Sequence, residues 1–397
     1  MVPKLYLCII VIILFTIMRI NAFTFADKET NWEIERISFR SLTLLVGASG
    51  VGKTRILKSL IDLKNIAKGR SLNGVSWAVE FTIGPNSYQW EGLFDYHERG
   101  FFSSEEADET STTDKPTVLH EKITLGETVL AERKETQLTF RGVRSPVPIR
   151  AEQSMLALIP DESIQIIERS FRAIFYSDYT NSANGPRQMQ LLDDKMFNKY
   201  KTIDAIRNSD EDLLTKLYWT YRKDKKTFNR IKDDFTAVFP QVENLKLEPM
   251  ESLKETEAPF FLKAAPFIQF RESGNSNWIP VMGMSAGMYR TLIHIMELHL
   301  SAEGTVILID EFENSLGVNC IDELTTEMKG AVGRIQFIIT SHHPYIINSI
   351  STANWKIVTR EGGRVRAQDA ETFNIGRSKH EAFIQLLNLP AYTTGHV

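Results

Sequence analysis

The sequence predicts an α/β protein: a mixed sheet with flanking helices, an antiparallel β subdomain and a large helical insertion. Three observations carry that prediction. A short apolar run at Leu42–Val46 leads into a glycine-bearing turn at Gly47–Gly52, and a helical pattern follows from Lys53 to Leu63 with Ile56, Leu57 and Leu60 on one side. Val75, Trp77, Val79, Phe81 and Ile83 alternate strictly, Gly84–Ser87 turns the chain, and Tyr88 and Trp90 resume the pattern of a half-buried hairpin. Far downstream, Thr305–Ile309 reads as a buried strand that ends in two carboxylates, Asp310 and Glu311.

The chain has 397 residues, enough for one large domain with an elaborate insertion or for two domains. With 43% hydrophobic residues and a formal charge of -4, wholesale disorder, a fibrous repeat and a uniformly basic nucleic-acid binder are excluded. Cys8 and Cys320 lie far apart without CxxC or Cys/His spacing, so neither a disulfide framework nor a zinc site is expected, and a reducing, cytoplasmic setting fits.

Four segments are expected. Residues 1–17 form an apolar leader, whose stretch from Leu5 to Met18 lies between Lys4 and Arg19. It is too short to span hydrocarbon readily and lacks an Ala-x-Ala-like cleavage pattern, which leaves three readings: an early start ahead of Met18, a buried first strand, or an anchor. Residues 18–150 hold the N-terminal half with the β subdomain, opened by a hairpin over Ile20–Phe25 and Trp32, Ile34 and Ile37. Further strands are expected at 117–142, after an acidic, Ser/Thr-rich loop at Ser103–Pro116. Residues 151–258 form the helical insertion, with one apolar face at Leu213, Leu214, Leu217, Tyr218 and Tyr221 and another at Phe228, Ile231, Phe235 and Val238. Residues 259–397 return to alternating strands and helices. Neither an internal repeat nor sustained heptads occur.

Gly47-Ala48-Ser49-Gly50-Val51-Gly52-Lys53-Thr54 matches the phosphate-loop pattern in full, in its required strand–loop–helix context. Glycines let the backbone curl so that successive N–H groups converge, and the helix N-terminus adds its positive end. That pattern suits ATP with Mg²⁺: Lys53 offers a point charge to the β- and γ-phosphates, and the Thr54 hydroxyl a ligand to the metal. A strand ending in Asp310 and Glu311 delivers one carboxylate to hold Mg²⁺ and another to activate water.

Ser285-Ala286-Gly287-Met288, ahead of a helix at Tyr289–Leu300 and upstream of Asp310, resembles the signature motif of ABC-type ATPases. The resemblance implies the ABC-ATPase nucleotide-binding fold and a homodimer in which Ser285, Ala286 and Gly287 complete the partner's ATP site. Ser341-His342-His343-Pro344 resembles that family's switch histidine, with His342 at the γ-phosphate and His343 as the competing assignment. Asn314-Ser315-Leu316 stands where the family has its D-loop, in different wording, and Gln153 is the candidate for its metal-contacting glutamine.

From Lys53 to Ser285 the chain is much longer than in transporter subunits, and the heptads of chromosome-maintenance arms are missing. Asp310–Leu316 and Thr340–Pro344 look like the wording of stand-alone bacterial ATPases of the overcoming-lysogenisation-defect and Septu-type anti-phage branch. That resemblance implies a nucleotide-gated regulator of a separate effector, a nuclease or toxin. A DNA repair or recombination ATPase and a membrane-anchored ATPase are the alternatives. The stretch Arg222, Lys223, Lys225, Lys226, Arg230 and Lys232, interleaved with Asp224, Asp233 and Asp234, suits a solvated helix face and leaves a nucleic-acid surface open.

Overall fold

Strict alternation of apolar side chains builds the first strands. In the computed structural model, which describes residues 17–98, 115–177, 200–249, 266–314, 316–376 and 379–395, Met18, Ile20, Phe23 and Phe25 of β1 (Met18–Asp27) are buried. The leader before residue 17, most of the 103–116 loop and Ser315 lie outside the described residues.

β1 pairs antiparallel with β2 (Trp32–Ser38), followed by β3 (Leu42–Val46), whose five residues are all buried. The phosphate loop leads from β3 into a helix at Lys53–Ala67 that buries Ile56, Leu57, Leu60 and Leu63, one turn longer than the sequence pattern suggests. β4 (Val75–Ile83) and β5 (Asn86–Phe94) form the expected hairpin, extended by β6 (Val118–Leu125), β7 (Thr128–Lys134), β8 (Gln137–Phe140) and β9 (Val143–Arg144). Helices at Met155–Leu158 and Glu162–Arg172 precede β10 (Ile174–Tyr176).

Three antiparallel strands follow: β11 (Val242–Pro249), β12 (Pro266–Glu272) and β13 (Ile279–Pro280). The chain then supplies β14 (Val306–Ile309), β15 (Gln336–Thr340), β16 (Trp355–Glu361) and β17 (Arg364–Asp369). A 14-stranded sheet results, in the order β10-β14-β15-β3-β16-β17-β2-β1-β4-β5-β6-β7-β8-β9. Its first five strands run parallel, with β3 between β15 and β16, and β3, β14 and β15 are buried along their whole length, as expected of strands covered on both faces. The expected mixed sheet with flanking helices and an antiparallel β subdomain is therefore the observed fold class.

The described residues fall into two compact units, one within Met1–Ser177, Glu303–Glu311 and Val332–Val397, the other within Asp178–Ala302 and Phe312–Ala331. In the first, Phe171 of the Glu162–Arg172 helix meets Phe81 and Trp90 edge-on, with centroids 5.1 and 5.0 Å apart, and closes the inner face of the antiparallel strands. The anticipated 151–258 insertion is thus divided differently: residues 155–176 pack into the core of the first unit. Helical periodicity reveals that a face is buried but not which surface buries it.

Within the second unit, helices run at Ile203–Arg207, Leu213–Lys223, Lys225–Val238, Ala286–Leu300 and Val318–Ala331. The expected Phe228, Ile231, Phe235 and Val238 face is buried, whereas Leu213–Lys223 buries Thr215, Leu217, Trp219 and Thr220 rather than Tyr218 and Tyr221. Those tyrosines carry cations on their rings instead, Arg222 at 6.0 Å and Lys225 at 3.7 Å from the centroids. Strand β11 replaces expected helix, with Leu245 and Leu247 buried on alternate positions. Among the described residues no helix is long and apolar enough to cross a membrane.

Candidate functional site

Parallel strands with crossover connections gather their carboxyl ends on one sheet edge, where ligands of open α/β folds bind. On that edge the first unit brings together the end of β3, the residues after β14 and β15, and the end of β10. The phosphate loop supplies the backbone part. Gly50 and Gly52 have φ of +81° and +103°, in the region that favours glycine, and Gly52 immediately precedes the helix. A Cβ on Gly47 would lie 2.5 Å from the Val358 carbonyl oxygen of β16, so only glycine fits that first position. Lys53 is buried, and its Nζ donates to the Gly47 and Ala48 carbonyls at 2.9 and 2.8 Å, which holds a positive charge inside the loop.

Asp310 sits at the centre of the polar part. Its Oδ2 accepts from the Thr54 hydroxyl at 2.7 Å, and its Oδ1 accepts from the Thr340 hydroxyl at 2.6 Å. The Tyr176 hydroxyl reaches Oδ2 at 3.4 Å. Thr340 Oγ1 in turn accepts from the Glu311 backbone N–H at 2.7 Å. Glu311 has φ of +46°, a left-handed conformation that a non-glycine residue adopts at a cost and that concentrates at functional sites. The sheet register explains the juxtaposition: β14 and β15 pair parallel with Ile309 opposite Ile339, so Asp310 comes level with Thr340.

The hydroxyl and carboxylate joined between Thr54 and Asp310 form a donor set suited to Mg²⁺, which binds through one or two carboxylates and otherwise through substrate phosphates and water. His342 follows β15 and is half-buried. His343 is the N-cap of the Pro344–Ser349 helix, its Nδ1 accepting from the Tyr345 N–H at 3.2 Å. That occupation gives the second histidine of the pair a structural task. Pro344 at the first helical position was the signal in the sequence.

Gln153 is not brought to this edge. Its side-chain nitrogen lies against Gly69, 3.3 Å from where a Cβ there would stand, just beyond the far end of the Lys53–Ala67 helix. A helix of that length separates it from Thr54 by about 20 Å. The strand that flanks β14 is β10, and the hydroxyl of Tyr176 at its end reaches Asp310. Thr340 and Tyr176 are thus the two site residues that sequence reasoning missed; a threonine ending an apolar strand was the only local hint of the first.

In the second unit, Ser285 is the N-cap of the Ala286–Leu300 helix, its Oγ accepting from the Met288 N–H at 3.2 Å. Ser285 and Ala286 are exposed and Gly287 is half-buried in the first turn. The resulting helix terminus offers N–H groups of the kind that receive anions.

Topology and sheet-edge chemistry together define the chain's class, a phosphate-loop nucleotide-binding domain of mixed α/β architecture. The family described as "AAA domain, putative AbiEii toxin, Type IV TA system" matches residues 42–348, and the chain belongs to it. No curated protein matches in sequence. Among solved structures, the chain is similar to the SMC head bound to the C-winged helix domain of ScpA, at 13% identity over 88% of this chain and 96% of that one, TM-score 0.45. It is also similar to the Smc head domain with an extended coiled coil bound to the C-terminal domain of ScpA from Pyrococcus furiosus, at 13% identity over 90% and 98%, TM-score 0.47. A third is the SMC head domain from Thermotoga maritima, at 14% identity over 88% and 98%, TM-score 0.39.

Proposed function

We propose that this chain is an ATPase that binds Mg-ATP at Gly47–Thr54 and hydrolyses it with Glu311 as the water-activating base. The observation that carries the reading is the hydrogen-bonded chain Thr54–Asp310–Thr340–Glu311, which ties the phosphate loop to the Asp310 carboxylate and, through its backbone N–H, to the residue that carries the second carboxylate. Thr54 and Asp310 would hold Mg²⁺, which neutralises phosphate charge when bound. Lys53 and the loop N–H groups bind the phosphates, His342 donates a hydrogen bond beside the γ-phosphate, and Glu311 takes a proton from water. Gln153 has no part in this account.

Two copies meet head to tail, so that Ser285, Ala286 and Gly287 of one face the nucleotide of the other. Their exposure at a helix N-terminus supports that pairing. The finer role, a cytoplasmic regulator in anti-phage defence whose nucleotide state gates a separate effector, rests on the motif wording at Asp310–Leu316 and Thr340–Pro344. It accords with a family description that includes a toxin.

The test is calorimetric titration of Mg-ATP into the wild type and Lys53→Ala, with size-exclusion chromatography of Glu311→Gln in ATP. Wild type should bind, Lys53→Ala should not, and Glu311→Gln should accumulate as a nucleotide-bound dimer. Equal affinity in wild type and Lys53→Ala would remove the phosphate loop from the account, and normal turnover by Glu311→Gln would remove that carboxylate.

A further inference from the structure

Arg360, near the end of β16, joins three parts of the first unit. Its Nε donates to the Gly362 carbonyl of its own hairpin turn at 2.6 Å, and its guanidinium lies over the Trp32 ring, 4.2 Å from the centroid. One terminal nitrogen then reaches the Gly50 carbonyl of the phosphate loop at 3.3 Å. Trp32 itself abuts the loop, since a Cβ on Gly52 would stand 2.8 Å from its ring. Two contacts therefore fix the guanidinium before it meets Gly50. Among the described residues it forms no ion pair, its neighbour Glu361 being matched with Arg366.

A trans peptide unit is planar, with its C=O and N–H pointing opposite ways. Whatever holds the Gly50 carbonyl also aims the Val51 N–H. That peptide is unusually free to rotate on its Gly50 side, because Gly50 is a glycine with positive φ. We propose that Arg360 is a positioning residue of the phosphate loop: it pins the Gly50 carbonyl so that the Val51 N–H turns into the anion cradle, and adds an uncompensated positive charge at the loop's rim. The chain's last described segment enters the same arrangement, because the Arg360 N–H donates to the Gly395 carbonyl at 2.8 Å and Gly395 lies against Val51.

This inference rests on the phosphate-loop reading above, and the experiment separates the two. Mg-ATP affinity and steady-state hydrolysis are measured for the wild type, Lys53→Ala, Arg360→Ala, Arg360→Gln and Arg360→Lys, with thermal melts of each. Arg360→Ala should weaken Mg-ATP binding about tenfold, equal to about 1.4 kcal/mol. KM should rise with kcat nearly unchanged, and Arg360→Lys, which keeps charge and a donor, should recover most of the loss. If Arg360→Ala melts early, the comparison passes to Arg360→Gln and Arg360→Lys, and equal affinity in those two overturns the role of charge. Wild-type affinity in a folded Arg360→Ala, with binding lost in Lys53→Ala, overturns the inference and spares the site. Absence of binding in the wild type overturns both.

Discussion

Replacing Thr340 with valine removes one hydroxyl from the middle of the sheet-edge network and keeps the side chain's shape. Thr340 is fully buried, donates to Asp310 Oδ1 at 2.6 Å and accepts from the Glu311 N–H at 2.7 Å. A hydrogen bond to a charged group is worth about 1.5–3 kcal/mol, and an N–H left without a partner costs about 1–3 kcal/mol when buried. The Glu311 N–H is only part-buried, and release of its left-handed backbone returns about 1 kcal/mol. Thr340→Val should therefore lower folding stability by about 2 kcal/mol, read as a shifted urea midpoint with unchanged slope. The kinetic effect should be larger, because the hydroxyl holds both the Asp310 carboxylate and the Glu311 backbone. A shift of about 1 Å at a catalytic group costs about a hundredfold, so kcat for phosphate release should fall about 10- to 100-fold with little change in KM. Thr340→Ser should restore the rate. A Thr340→Val protein that hydrolyses ATP at the wild-type rate would refute the reasoning.

Two further perturbations test packing and charge. Glu121 and Arg133 are both buried, and Glu121 accepts from Trp90 Nε1 at 2.9 Å and the Met155 N–H at 2.8 Å. Glu121→Ala removes the buried counter-charge 3.8 Å from Arg133, leaves the Trp90 Nε1–H and the Met155 N–H without their acceptor, and should cost about 3–5 kcal/mol in chemical denaturation. His294 is buried 3.2 Å from Glu297 on the Ala286–Leu300 helix, and desolvation lowers its pKa, opposed by Glu297 and helped by Arg290. The unfolded chain then binds the extra proton, so stability falls as pH drops below the ordinary histidine value of about 6.5, by up to about 1.4 kcal/mol per unit. His294→Asn should flatten that slope in pH-dependent melts; an identical slope would assign it to other groups.

Local pattern carried much of the fold. The strand Leu42–Val46, the β4–β5 hairpin and the Phe228–Val238 helix face emerge from periods of 2 and 3.6 that depend only on near neighbours. On the Leu213–Lys223 helix Leu217 is buried as read, but Trp219, which the pattern left out, is buried as well, with Tyr218 half-buried beside it. Strand β11 was missed because its pairing comes from β12, across an intervening segment. Gln153 was misassigned for the same reason: which strand flanks β14 is settled by pairing between distant segments.

By itself the sequence determined the phosphate loop, since curling a backbone around an anion demands glycines at set positions and a lysine and threonine where the helix begins. It likewise determined the apolar strand that carries Asp310 and Glu311. Only the tertiary structure decided that Thr340 and Tyr176 flank Asp310 and that Arg360 reaches Gly50. Those contacts join residues far apart in the chain through strand order and register, and no local periodicity encodes which strands lie side by side.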